Sequence, residues 1–314
     1  MTRFLVRRLA FLILTLLITS LIIFSVTQLL PGDVARVILG REAGDEALRA
    51  LRDELGLNEP PLAQYLRWLG NFIVGDWGTS FSTRLPVFEV VAQRLRNSLM
   101  LAGVILVLSV PLAVFLGVIA GFKQDSWVDH FISIGSLAVV GLPEFVTGLV
   151  LIELLAFRFK LFPANSSIRI EAGFWESLPM LILPAITATL VLLAYIARLT
   201  RAGVIEELKL PYVRTAILKG LTWGEVTFKH VLRNALMPTV TVIAISFGWM
   251  LSGLIVIENV FNYPGIGRLL VFAIDRRDLP FLQAIGMVTV LGYTLANLTA
   301  DILYAVLNPR IRMQ

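Results

Sequence analysis

The chain has 314 residues, of which 57% are hydrophobic and 16% charged, with a formal net charge of +5, no cysteine and two histidines. Soluble domains run about 45–50% apolar and about 25% charged, so an ordinary soluble domain is excluded. The missing cysteines remove disulfides, thiolate metal sites and a cysteine nucleophile, and His130 and His230, far apart in the sequence, argue against a protein metal site. The basic residues flank apolar stretches, which argues against a nucleic-acid partner and for a membrane.

Arg3, Arg7 and Arg8 precede an uncharged run from Leu9 to Gly32. That run of about 24 residues exceeds the ~20 needed to cross a bilayer and is too long for the core of a signal peptide. It predicts a first span with its N-terminus inside. Residues 31–97 are the one long polar region, its acids about balancing its arginines. Ala47, Leu48, Leu51 and Leu55 recur at helical spacing before Gly56, and Tyr65, Trp68, Leu69 and Phe72 form an aromatic-rich face fit for an interface. Gly75–Phe81 reads as a turn, and Pro86 to Arg96 as an amphipathic helix leading back to the bilayer. The region is expected to be a small extracytoplasmic subdomain.

Four further spans are expected at Asn97–Phe122, at Phe131–Phe157 with an interruption at Gly141–Phe145, at Leu178–Ala197 and at Asn234–Ile257. A last outer loop, Glu258–Pro280, leads to a sixth span at Phe281–Ala300, and the tail carries Arg310 and Arg312. Arg198, Arg201, Lys209, Arg214, Lys219, Lys229 and Arg233 outnumber Glu206, Glu207 and Glu225 between the fourth and fifth spans. This positive surplus puts that loop and both termini inside. The expected fold is all-α: span 1–30, subdomain 31–97 and a five-helix core 98–314 with a cytoplasmic loop at 202–235.

That loop is the most structured polar stretch. Pro211 suits a first helical turn, where its missing N–H costs nothing. Lys219 and Gly220 suit a helix end, and Thr222 with Glu225 forms a capping-box pattern that opens a second helix. Tyr212–Leu221 and His230–Pro238 resemble the cytoplasmic loop of ABC-importer permeases, in the form found in the dipeptide/oligopeptide family. Of the general Glu-Ala-Ala-x-x-x-Gly pattern only one Ala and the Gly survive at Arg214-Thr215-Ala216 and Gly220. The first-span, Gly75–Phe81, Asn262–Leu270 and C-terminal regions extend the resemblance over the whole chain, to the first permease subunit of such importers.

The resemblance implies a type I importer fold in a bacterial or archaeal cytoplasmic membrane. It implies a second, homologous permease, two cytoplasmic ATPase subunits that bind ATP and Mg, and an extracytoplasmic substrate-binding protein. It casts Pro211, Tyr212, Arg214, Thr215, Ala216, Lys219, Gly220 and Leu221 as the element that couples to the ATPases. Di- or oligopeptides are the leading solutes, with nickel chelates, glutathione, opines and oligosaccharides as alternatives. The chain itself carries no phosphate-cradling loop and no catalytic arrangement, so it is expected to be non-catalytic, with no cofactor or metal of its own. An ion-driven secondary transporter would call for paired intramembrane charges and an internal repeat, and neither is seen.

For the path, Glu144 is a candidate acid that meets a cationic group, set against a carboxylic acid satisfied by backbone groups that Pro143 frees. Glu144 and Glu153 are nine residues apart, about 180° around a helix, so they are not expected to line one pathway together. Tyr195, Trp249, Tyr293 and Asn297 could line a path or serve helix packing. Glu258 and Tyr263-Pro264-Gly265-x-Gly267 make a rigid outer turn, which the resemblance assigns to an outer gate.

Overall fold

The computed structural model describes residues 2–29, 34–39, 43–54, 56, 58–169 and 172–307. The described residues are helical, apart from loops and one isolated bridge between Thr79 and Pro86. The tail with Arg310 and Arg312 lies outside them.

In chain order the helices are α1 (Thr2–Leu29), α2 (Val34–Leu39), α3 (Asp45–Glu54), α4 (Pro61–Val74), α5 (Val87–Phe122), α6 (Trp127–Val140) and α7 (Glu144–Leu151). Then follow α8 (Phe174–Leu208), α9 (Pro211–Leu218), α10 (Trp223–Glu225), α11 (Leu232–Ala235), α12 (Met237–Gly253), α13 (Ile255–Val260), α14 (Ile266–Arg276) and α15 (Leu279–Leu307). Two π-helical stretches interrupt the series, Ile152–Arg158 after α7 and Val226–Val231 after α10. Among the described residues four helices (α1, α5, α8, α15) are long and apolar enough to cross a membrane. The count becomes six if α6 with α7 and its π turn, and the stretch Trp223–Ala235 with α12, each form one bent span.

The chain divides into two compact units. The first holds residues 1–97 and 264–294. Its core is built from Val87, Val91, Ile266, Leu269, Phe281 and Ile285. The aromatic face of α4 is used within this unit. Phe24 of α1 meets Tyr65 and Trp68 at ring-centroid distances of 5.5 and 5.7 Å, and Phe72 stacks on Trp77 at 4.8 Å. Tyr65 also shares a 2.8 Å hydrogen bond with Ser20. Pro61 opens α4 and Gly75, at φ 88°, closes it. Asp278, fully buried before α15, accepts hydrogen bonds from Ser80 Oγ and Ser82 Oγ, both at 2.6 Å, and from the Ser82 N–H at 3.0 Å. The separate amphipathic helix expected at 86–96 is instead the first three turns of α5, continuous with its apolar part through Pro111.

The second unit holds residues 98–263 and 295–314. Its core draws Leu101 and Ile105 from α5, Leu181, Leu183 and Ile196 from α8, Ile257 from α13, and Phe261 and Tyr263 from the turn after it. Small residues set the closest approaches. A Cβ on Gly117 would sit 2.5 Å from the Ala197 carbonyl oxygen, and one on Gly203 would sit 2.6 Å from that of Ala235. Helices meet at such distances only where a side chain is missing.

One ion pair ties α6 to α8. Ser126 caps α6 and Asp129 follows in its first turn. Asp129 is 2% exposed and receives Arg201 Nε and Nη2 at 2.5 and 2.6 Å, a bidentate pair. The Asp125 N–H at 2.9 Å and Ser133 Oγ at 3.2 Å complete its shell. Asp129→Asn is therefore expected to destabilise the fold by about 1.5–3 kcal/mol, the range for a hydrogen bond to a charged group. Asp129→Leu with Arg201→Leu should recover part of that loss, because no buried charge is then left alone. Unfolding of the detergent-solubilised variants by SDS titration measures both. A double variant no more stable than Asp129→Asn would contradict the account.

Candidate coupling loop and transport-path residues

Between α8 and α12 the chain builds a compact polar knob. Pro211 sits in the first turn of α9, and Gly220 takes φ +85°, a conformation that glycine adopts without penalty. Thr222 Oγ1 accepts the Glu225 N–H at 3.3 Å, while Glu225 Oε2 accepts the Thr222 N–H at 3.1 Å, so the capping box is formed. Val213, Val226 and Val231 are buried beneath, packed with Leu208, Phe122, Tyr212, Ala216 and Leu221. Tyr212 donates a 2.6 Å hydrogen bond to Glu207. Burial, with that contact second, pushes its phenol above the ordinary range.

The outer face of α9 carries Arg214, Thr215, Ile217, Leu218 and Lys219, all exposed. Leu218 is 78% exposed, and α9 lies outside every segment apolar enough to span a membrane. Five of the eight predicted coupling residues are thus on α9, and Lys219, Gly220 and Leu221 form the turn that follows it. Pro211, Arg214, Thr215, Lys219 and Gly220 are exposed, while Tyr212, Ala216 and Leu221 turn partly inward.

The predicted path residues do not form one site. Glu144 opens α7 after Pro143 and is half-buried beside a cavity of about 10 Å³, room for one water, lined by Ile105, Leu192, Met250, Leu254 and Ile257. The chain bends by 103° between α6 and α7, ahead of Glu144, and Glu153 is exposed on the π-helical stretch that continues α7. Tyr195, 59% exposed on α8, lines a different cavity of about 540 Å³. Asn297 is half-buried and Tyr293 exposed on α15, and the Trp249 side chain lies outside the described residues.

Glu258, expected in a loop, is buried on α13 and accepts a 2.5 Å hydrogen bond from Ser98 Oγ. Tyr263 is fully buried, and burial, with the Glu258 charge second, pushes its phenol up, so it stays a neutral hydroxyl. The turn owes its left-handed residue to Asn262, at φ 55°, and not to a glycine. Asn262 Nδ2 donates to Asn165 Oδ1 and Ser167 Oγ, both at 3.2 Å, while the Ser166 N–H donates to the Phe261 carbonyl at 2.9 Å. Pro264 accepts from Asn97 Nδ2 at 2.8 Å, Gly265 caps α14 in an extended conformation, and Gly267 is buried in its first turn.

Sequence reasoning missed the Asp129–Arg201 pair, whose partners are 72 positions apart, and the Ser98–Glu258 bond, spanning 160. A lone acid at the head of an apolar helix was the one available signal for the first. Among the described residues no group of three His, Asp or Glu could hold a metal ion.

Comparison with known proteins agrees with this layout. The family described as the inner membrane component of binding-protein-dependent transport systems matches residues 113–313, and the N-terminal family of such membrane components matches residues 1–102. The chain is 38% identical over 310 residues to a probable peptide ABC transporter permease protein of Sinorhizobium fredii, covering 98% of this chain and 99% of the relative. It is 36% identical over 312 residues, 99% of each chain, to the glutathione transport system permease protein of Escherichia coli K12. The chain is accordingly a multi-pass, non-catalytic membrane subunit that works with a substrate-binding protein and an ATPase, and it belongs to the family of binding-protein-dependent transport system inner membrane components.

Proposed function

We propose that this subunit carries di- or oligopeptides across a bacterial or archaeal cytoplasmic membrane into the cell. Glutathione is the next candidate, as a tripeptide-like solute named for one set of relatives. In this reading the chain pairs with a second, homologous permease, and two ATPase subunits dock on the inner side. Both termini and the loop 202–235 face the cytoplasm, and residues 31–97 face the binding protein. The observation that carries the proposal is α9: a short helix with exposed Arg214, Ile217 and Leu218, held by a buried valine cluster and closed by Gly220. Apolar side chains exposed beside basic ones, away from the spans, call for a protein partner.

Uptake of a dipeptide in vesicles holding the full complex tests the function. It should require ATP and the loaded binding protein, and it should persist when an ionophore collapses the ion gradients. Loss of uptake with the ionophore, at constant ATP, would point to an ion-driven carrier instead. The chain purified alone should hydrolyse no ATP.

Topology is tested by single cysteines, since none is native. Asp53→Cys and Gln314→Cys should react with an impermeant maleimide from opposite sides of the membrane. Labelling of both from one side would rule out the six-span arrangement.

The coupling role of α9 is tested at Gly220. No atom lies within 4 Å of a Cβ built there, so Gly220→Val meets no clash. Its cost is a left-handed backbone, about 1–2 kcal/mol, which is expected to re-aim α9 without unfolding the spans. The variant should insert and assemble yet lose transport at least tenfold. Arg214→Glu should weaken ATPase co-purification more than it lowers stability. Wild-type uptake in both variants would remove α9 from the coupling path.

A further inference from the structure

The cavity of about 540 Å³ on α6 and α8 is within the size range of small-molecule sites. Ser133, Tyr195, Arg198 and Arg201 line it, with Leu137 and Leu199 as apolar walls. Tyr195 lies about 30 Å along α8 from its start, one bilayer core away. The two guanidinium groups differ. Arg201 is held by Asp129, which is buried and does not line the cavity. Arg198 is exposed and has no hydrogen bond or ion pair among the described residues. The lining therefore presents two guanidinium groups, two hydroxyls and no carboxylate. A planar guanidinium fork with neighbouring hydroxyl donors matches a carboxylate in shape as well as charge.

We propose that Arg198, with Ser133 and Tyr195, binds the free carboxylate of the translocated solute at the Arg-bearing end of the route, while Arg201, neutralised and held in place by Asp129, forms a fixed wall beside it. The inference rests on the reading of the chain as a permease for peptide-like solutes, which carry such a carboxylate. Arg198 is the docking group and Tyr195 positions the solute against the apolar walls. An anionic lipid headgroup offers the same kind of oxygen atoms, and an acidic side chain of the second permease offers the same charge. The experiment below separates all three.

Ala202→Cys places the only thiol of this chain on the rim of the cavity. In the full complex in nanodiscs, its rate of maleimide modification is followed with added alanyl-alanine or with alanyl-alanine amide. The free dipeptide should slow modification and the amide should not. With Arg198→Gln added, the half-protecting dipeptide concentration should rise at least tenfold, and Arg198→Lys should restore part of the protection. Equal protection by acid and amide, or none by either, would overturn the proposal. So would a rate set by exchange of anionic for zwitterionic lipid, which marks a headgroup site. A thiol that reacts in the isolated chain but not in the assembled complex would mark a permease interface and overturn it too. Dipeptide uptake by the wild-type complex is measured in parallel. Uptake without protection removes only this site, whereas absent uptake removes the functional reading beneath it.

Discussion

Asp129 carries a charge where almost no water reaches it, at the point where α6 begins against the basic end of α8. Isolating a carboxylate there would cost several kcal/mol. The cost is met because one face of Arg201 delivers two parallel N–H groups and the Asp125 N–H and Ser133 hydroxyl take up remaining oxygen lone pairs. A lysine at 201 would supply charge without the fork. The pair therefore does more than hold two helices together. It sets the rotation of α8 about its axis, and α8 carries both the cavity with Arg198 and, three residues beyond its last turn, the start of α9.

The small-residue contacts complete that constraint. Gly117 admits the Ala197 carbonyl, Gly121 lies against Val204, and Gly203 admits the Ala235 carbonyl. These contacts bracket Arg201 on both sides along α8. In lipid there is no hydrophobic drive between helices, so close packing and polar pairs supply most of the holding energy. A helix pinned at Ala197, Arg201 and Gly203 shifts as a body or not at all, because packed interfaces deform in discrete steps.

Much of the fold was legible because it rests on local rules. Apolar run length marked α1, α5, α8 and α15, and capping chemistry marked Pro211, Gly220 and Thr222 to within a residue. The third span was expected with its interruption, but the angle there was not legible. Pro143 announced an interruption, yet a 103° bend and the π turn after it depend on what α7 packs against, and Gly148 meets Val260 and Phe261 there. A turn near Tyr263–Gly267 was legible from its Pro and Gly, but its left-handed residue is Asn262, at φ 55° and hydrogen-bonded to Asn165 and Ser167, partners about 95 positions away that no local rule names. The ion pair and the buried Glu258 were not legible, because nothing in a single sequence says which distant side chain faces an acid. Of the path residues, Tyr195 shares a cavity with arginines that sequence reading had taken only as topological markers.

The same geometry explains how a short polar loop could govern spans it barely touches, in the coupling role proposed for it. At 35 residues α8 is about 50 Å long, against a hydrocarbon core of about 30 Å, so part of it must project beyond the bilayer. The valine cluster under α9 takes in Leu208 from that projecting end and Phe122 from the end of α5. Force applied to α9 therefore enters two spans at once, at their tips, where the lever arm about the bilayer is longest. On α8 it passes the Asp129–Arg201 pair before it reaches the lipid-embedded part. That pair also lies beside the Arg-lined cavity, so in the proposed coupling role the loop and the cavity share one helix.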